Sequence, residues 1–161
     1  MRTEIRPATD DDIPALMALN AHVQDWHARH YPDIFLPKTE PDGLRRAFTR
    51  WLADPDAMIL LSEAGGAPVG YVFAMRQDRP QSWHGRAVTC FEIEHIVVAP
   101  EHRRHGHGAA LMQHALDAAP TGAQVQISLT SWAANTTAHN FFAGFGFVPQ
   151  LIKFAQTGKE S

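Results

Sequence analysis

The chain has 161 residues, enough for one domain with a full core, and a net charge of −3 with its histidines neutral. Apolar residues make up 45% and charged residues 19%, an ordinary globular mix. The acidic balance argues against a nucleic-acid partner, and no run approaches the roughly 18 apolar residues of a membrane span.

The N-terminus, Met1 to Pro7, lacks the apolar stretch of a signal peptide. One cysteine, Cys90, cannot build an internal disulfide framework. A cytoplasmic protein is the expectation. In chain order, residues 3–6 alternate as a short strand, and Asp10-Asp11-Asp12 then supplies a cap and first-turn acids. Ile13, Leu16, Met17, Asn20, Val23 and His27 recur at helical spacing, which predicts a helix over 11–29. A loop marked by Pro32 and Pro37 leads to a second predicted helix over 42–52, with Leu44, Ala47, Phe48 and Trp51 on one face. Residues 57–63 and 68–77, joined through Gly65-Gly66, read as a hairpin. A longer strand lies within 86–99, a helix over 108–119, a strand over 124–130, a helix over 135–143 and a last strand over 147–155. Strands separated by helices need crossovers, so part of the sheet should be parallel and the fold α/β. Neither a repeat nor a flexible linker divides the chain, and a single domain over 1–161 is expected.

The segment Arg103-Arg104-His105-Gly106-His107-Gly108 carries the most chemistry. It links a buried strand to a helix start. Spaced glycines let backbone approach a ligand, the helix N-terminus offers unpaired amides, and two arginines add charge; these parts suit a pyrophosphate. A Walker A loop would need Gly-Lys-Ser/Thr, and a dinucleotide fingerprint a third glycine where Leu111 stands. The segment is similar to the Arg/Gln-x-x-Gly-x-Gly/Ala loop of the GNAT N-acetyltransferase superfamily. A second GNAT signature, Asn-x-x-Ala-x-x-Phe/Leu-Tyr-x-x-x-Gly-Phe, resembles Asn135 to Phe147, with Phe142 in place of the tyrosine. The opening Ile5-Arg6-Pro7-Ala8-Thr9 fits as well, so the resemblance runs from about Thr3 to Phe154.

That resemblance implies a mixed, twisted sheet flanked by helices. Its central parallel strands, 91–99 and 124–131, would splay to admit acetyl-CoA as co-substrate. The pantetheine arm would run along Ile96, Val97 and Val98, with the pyrophosphate on Arg103, Arg104, His105, Gly106, His107, Gly108 and Ala109. Asn135 and Phe142 would complete the cofactor site. Trp26, His27, Tyr31 and Phe35 fall where such proteins build the acceptor site.

The implied reaction is direct acetyl transfer to a primary amine, of a small molecule or a protein, in a ternary complex. An amine of pKa about 10.4 is almost wholly protonated near neutrality, so a base is needed. Glu94, helped by Glu92, is the expected base; alternation puts both on one strand face and His95 on the other. Either glutamate is equally readable as an ion-pair partner on a half-exposed strand. Backbone N–H groups at Val97 or Val98 are the implied oxyanion donors. The acid that usually protonates the thiolate would be absent at Phe142, leaving water or His139 to stand in. His102, His105 and His107 crowd the loop without zinc-like partners, so no metal is expected. Abundant aromatics and family habit point to a homodimer. A second reading stays open, that of a CoA-binding sensor or scaffold with little catalysis.

Overall fold

The computed structural model describes residues 3–156 and 158, and the chain divides into two compact units, residues 1–130 and 131–161. The first unit is a five-stranded sheet in the order β1-β2-β3-β4-β5 with three helices. Strands β1 (Glu4–Pro7), β2 (Ala57–Ala64), β3 (Ala67–Arg79) and β4 (Val88–Val98) pair antiparallel in sequence. Strand β5 (Val125–Leu129) joins β4 in parallel, after the crossover helix α3 (His107–Ala118). Helices α1 (Ile13–His30) and α2 (Pro41–Ala53) lie between β1 and β2 in the chain.

Residues Val69 to Ala74 of β3 are all buried, a continuous run rather than an alternating one. Both faces of this strand are therefore covered. Tyr71 and Phe73 join Leu16 and Leu19 of α1 and Phe48 of α2 in one core. Between them Val72 is fully buried too, and α3, whose Leu111, Met112 and Ala115 are sealed, packs against β2, β3 and β4. Leu16 is fully buried, so its truncation to alanine should cost about 2–5 kcal/mol. Near β1, Arg6 grips Asp12 through two 2.8 Å bonds and also donates to Glu63. That guanidinium is the main reason the Asp12 carboxyl falls to about 2.

In the second unit, α4 (Thr136–Ala143) is the one regular element among the described residues. The strand expected over 147–155 is not there. Val148, Leu151, Ile152 and Phe154 are all exposed, and no ladder holds the segment. Apolar spacing favours an extended chain, but a strand needs a partner for its backbone groups, and Pro149 brings no N–H.

Candidate active site

The pairing of β4 with β5 begins at Thr89↔Val125 and stops at Ile93↔Leu129, although β4 runs on to Val98. Past Ile93, β3 is the one strand paired with β4 among the described residues. A β-bulge sits at the same place: Phe73 pairs with His95 and Ala74 with Ile93, so Glu94 has no counterpart on β3. Glu94 is exposed, yet the protein around its carboxyl raises its pKa, chiefly by desolvation and then by the nearby charge of Glu92. Glu92 is half-buried and accepts a 3.2 Å bond from Thr130 Oγ1.

Ladder parity sorts the backbone donors of this edge. Ala99 N–H donates to Val69 O at 2.8 Å. In an antiparallel pair bonded and non-bonded residues alternate, so Val97 also bonds to β3, opposite Tyr71. The groups of Ile96 and Val98 then face away from β3. The Val98 carbonyl accordingly accepts from Arg103 Nε at 3.0 Å, which folds the Arg103 side chain back onto the open edge. Gly70 makes this close packing possible, since a Cβ there would lie 2.6 Å from the Val97 carbonyl oxygen.

The loop after β4 takes left-handed backbone at Arg104 (φ 65°) and at Gly106 (φ 88°), the residue immediately before α3. No side chain caps this helix, and nothing lies within 4 Å of where a Gly106 Cβ would stand. The amides of the first turn thus carry no side-chain cap and follow directly on Arg103 and Arg104, which fits a pyrophosphate. His107 departs from the plain expectation of a ligand side chain. Its ring is buried and hydrogen-bonds Ser62 Oγ at 2.7 Å, leaving its backbone amide to the loop. Burial lowers its pKa, with His102 and His105 adding to the effect. His105 is exposed, and His102 stands edge-on to His107.

The expected acceptor residues gather at the end of α1. Trp26 stacks on His30 with ring centres 4.1 Å apart, His27 stacks on Phe35 at 4.5 Å, and Tyr31 lies 6.2 Å from Trp26. Burial lowers the His27 pKa. An open cavity of about 460 Å³ is lined by Asp25, Ala28, Arg29, Pro32, Phe35 and Pro37. Strict alternation predicts His95 on the face opposite Glu92, but Glu92 pairs with Met75 and His95 with Phe73, both of which pack in the α1 core, so the bulge brings His95 to the face of Glu92. There His95, Tyr71 and Asn20, none of them a sequence-predicted site residue, form a hydrogen-bonded chain on the α1 side of the sheet. A histidine in an apolar strand was the available signal.

Within the second unit, the Asn135 side chain accepts from Ala138 N–H at 3.2 Å and caps α4. Phe142 is half-buried between the rings of Phe141 and Phe147. His139 is exposed, and its Nε2 bonds to the Trp132 carbonyl at 3.1 Å.

With this geometry in view, the family model of GNAT acetyltransferases matches residues 20–147. The chain belongs to the GNAT acetyltransferase family. No curated protein matches it. Among solved structures, the tetramutant BH1408 protein of Bacillus halodurans superposes with a TM-score of 0.84 at 19% identity, covering 96% of this chain and 99% of that one. The aminoglycoside 6'-N-acetyltransferase AAC(6')-Ig of Acinetobacter haemolyticus gives 0.72 at 17% identity, over 97% and 99%. The aminoglycoside N-acetyltransferase AAC(6')-Iy, solved with CoA, gives 0.71 at 14% identity, over 97% and 95%. These likenesses establish the GNAT fold, a mixed sheet with a parallel β4–β5 pair. Among the described residues no group of three or more His, Cys, Asp and Glu is arranged to hold a metal, and no helix is long and apolar enough to cross a membrane.

Proposed function

We propose that this GNAT protein transfers an acetyl group from acetyl-CoA to a primary amine by direct attack in a ternary complex. The observation that carries the reading is the coincidence at Ile93: the parallel ladder ends there, and the bulge puts Glu94 immediately beyond it. Acetyl-CoA would bring the acetyl group as an activated thioester. Arg103, Arg104 and the α3 amides from Gly106 to Ala109 would hold its pyrophosphate. Ile96 and Val98 face the open side of β4 and would bind an extended amide-bearing arm there.

Glu94 would take the proton from the acceptor ammonium, with Glu92 beside it. A raised carboxyl pKa narrows the gap to the amine and makes the transfer less uphill. The developing charge on the carbonyl oxygen would fall to Val98 N–H, because the Val97 N–H is engaged with β3. Trp26, His27, Tyr31 and Phe35 would hold the acceptor. One observation favours the second reading, a CoA-binding module with little catalysis: Phe142 sits among phenyl rings and has no proton to give the departing thiolate. A screen of amine acceptors with acetyl-CoA, reading thiol release, separates the two. Release that depends on an amine supports transfer. Tight CoA binding with no release from any amine supports the module.

A further inference from the structure

His95 follows Glu94 on β4, and the proposed transfer does not use it. Its ring stands edge-on to Trp51, Tyr71 and Phe73, with centres 5.7, 6.0 and 5.5 Å away. Its Nδ1 lies 3.0 Å from Tyr71 Oη, and the same oxygen accepts a 2.9 Å bond from Asn20 Nδ2. Tyr71 is fully buried, so its single phenolic proton must find an acceptor. The Asn20 amide nitrogen cannot accept, and His95 Nδ1 is the remaining partner. Tyr71 thus donates to Nδ1, which places the imidazole proton on Nε2. Burial, with His27 second, pushes the His95 pKa down to about 4, in keeping with a ring that stays neutral.

The Nε2 atom makes no hydrogen bond to the described residues. Yet none of their buried side-chain nitrogens or oxygens lacks a partner. Nε2 must therefore reach accessible space. The His95 ring stands edge-on to Trp51 of α2 and near His27 of α1, and His27 stacks on Phe35. The ring that carries the donor thus neighbours side chains proposed above for the acceptor.

We infer that His95 is a specificity-determining residue of the acceptor pocket: its fixed Nε2–H, set among aromatic rings, binds an uncharged oxygen, hydroxyl or carbonyl, on an acceptor amine with an apolar body. A carboxylate would leave most of its hydration uncompensated against one neutral donor. An all-carbon acceptor would leave the N–H unpaired. The inference rests on the acetyl-transfer reading above and deepens it.

Two measurements test it. Nitrogen-15 NMR of histidine-labelled protein, with His95→Gln to assign the signal, should show protonated Nε2 and bare Nδ1, and Tyr71→Phe should mix the tautomers. Acetyl transfer to paired amines, alike except for one oxygen, should favour the oxygenated member by about tenfold to a hundredfold in kcat/KM. His95→Phe should abolish that preference and His95→Gln, which keeps an N–H donor, should retain part of it, both with CoA affinity unchanged. The tautomer and the glutamine variant decide the matter if His95→Phe does not fold. A proton on Nδ1 in the unmodified protein, no preference between paired amines, or an undiminished preference in His95→Phe overturns the inference alone. No transfer to any amine overturns it together with the acetyl-transfer reading.

Discussion

Helices α3 and α4 each start within a family signature, but their N-termini are finished in opposite ways. Helix α4 is closed by its own chain, since Asn135 caps it through its side-chain oxygen. Helix α3 begins at a left-handed glycine with no side-chain cap, and is fixed from behind by His107 and Ser62. A helix end that is self-capped has spent part of its donor capacity, whereas an uncapped one with open space above it keeps that capacity for an anion. The difference supports the proposal that the phosphate binds at α3, and it gives the Asn135 side-chain oxygen a structural role.

Substitutions at four positions break or sharpen this contrast. Gly108→Glu sets a carboxylate at the open end of α3, where it should weaken CoA binding by about a hundredfold in calorimetry. The fold should hold, because an acid suits a helix N-terminus. Ser62→Ala strips the buried partner from His107 and should cost about 1–3 kcal/mol in denaturant unfolding. Gly106→Ala meets no atom but must adopt φ 88°, so its cost, about 1–2 kcal/mol, comes from backbone strain alone. Asn135→Ala should lose about 1 kcal/mol with its cap, whereas Asn135→Ser should keep most of that stability. If the Asn135 amide nitrogen also serves the cofactor, the serine variant will show weaker CoA binding at nearly unchanged stability.

The sheet was legible because β2, β3 and β4 are long runs with clear turn signals, and the β4 to α3 junction because its motif couples spaced glycines to a helix start. Element ends moved by a residue or two, as with α1, whose first residues form a separate 3-10 turn at Asp10–Asp12. The expected last strand failed because alternation reports extension, whereas a ladder depends on a partner elsewhere in the chain. The relation of Glu94 to its neighbours was only half legible. Strict alternation predicts that Glu94 shares a face with Glu92 and that His95 lies opposite, but the bulge breaks the alternation at Glu94, and it depends on register against β3, which sequence does not carry. Two side-chain roles were hidden for the same reason. Ser62 is 45 positions from His107, and Asn20 is 51 from Tyr71, so neither pair has a local signature.

The central claim is that Glu94 accepts the amine proton beside the open edge of β4. Once an acceptor is known, kcat/KM across pH for the unmodified protein, Glu94→Gln, Glu92→Gln and the double variant tests it most directly. A general base must be ionised, so the unmodified enzyme should lose activity as pH falls through a limb above the usual carboxylate range, the direction in which desolvation moves Glu94. Glu94→Gln should lower kcat/KM by about 10²–10⁴ with the CoA dissociation constant unchanged. Full activity in both single variants and in the double variant would contradict the claim, and lost CoA binding in Glu94→Gln would make that residue structural.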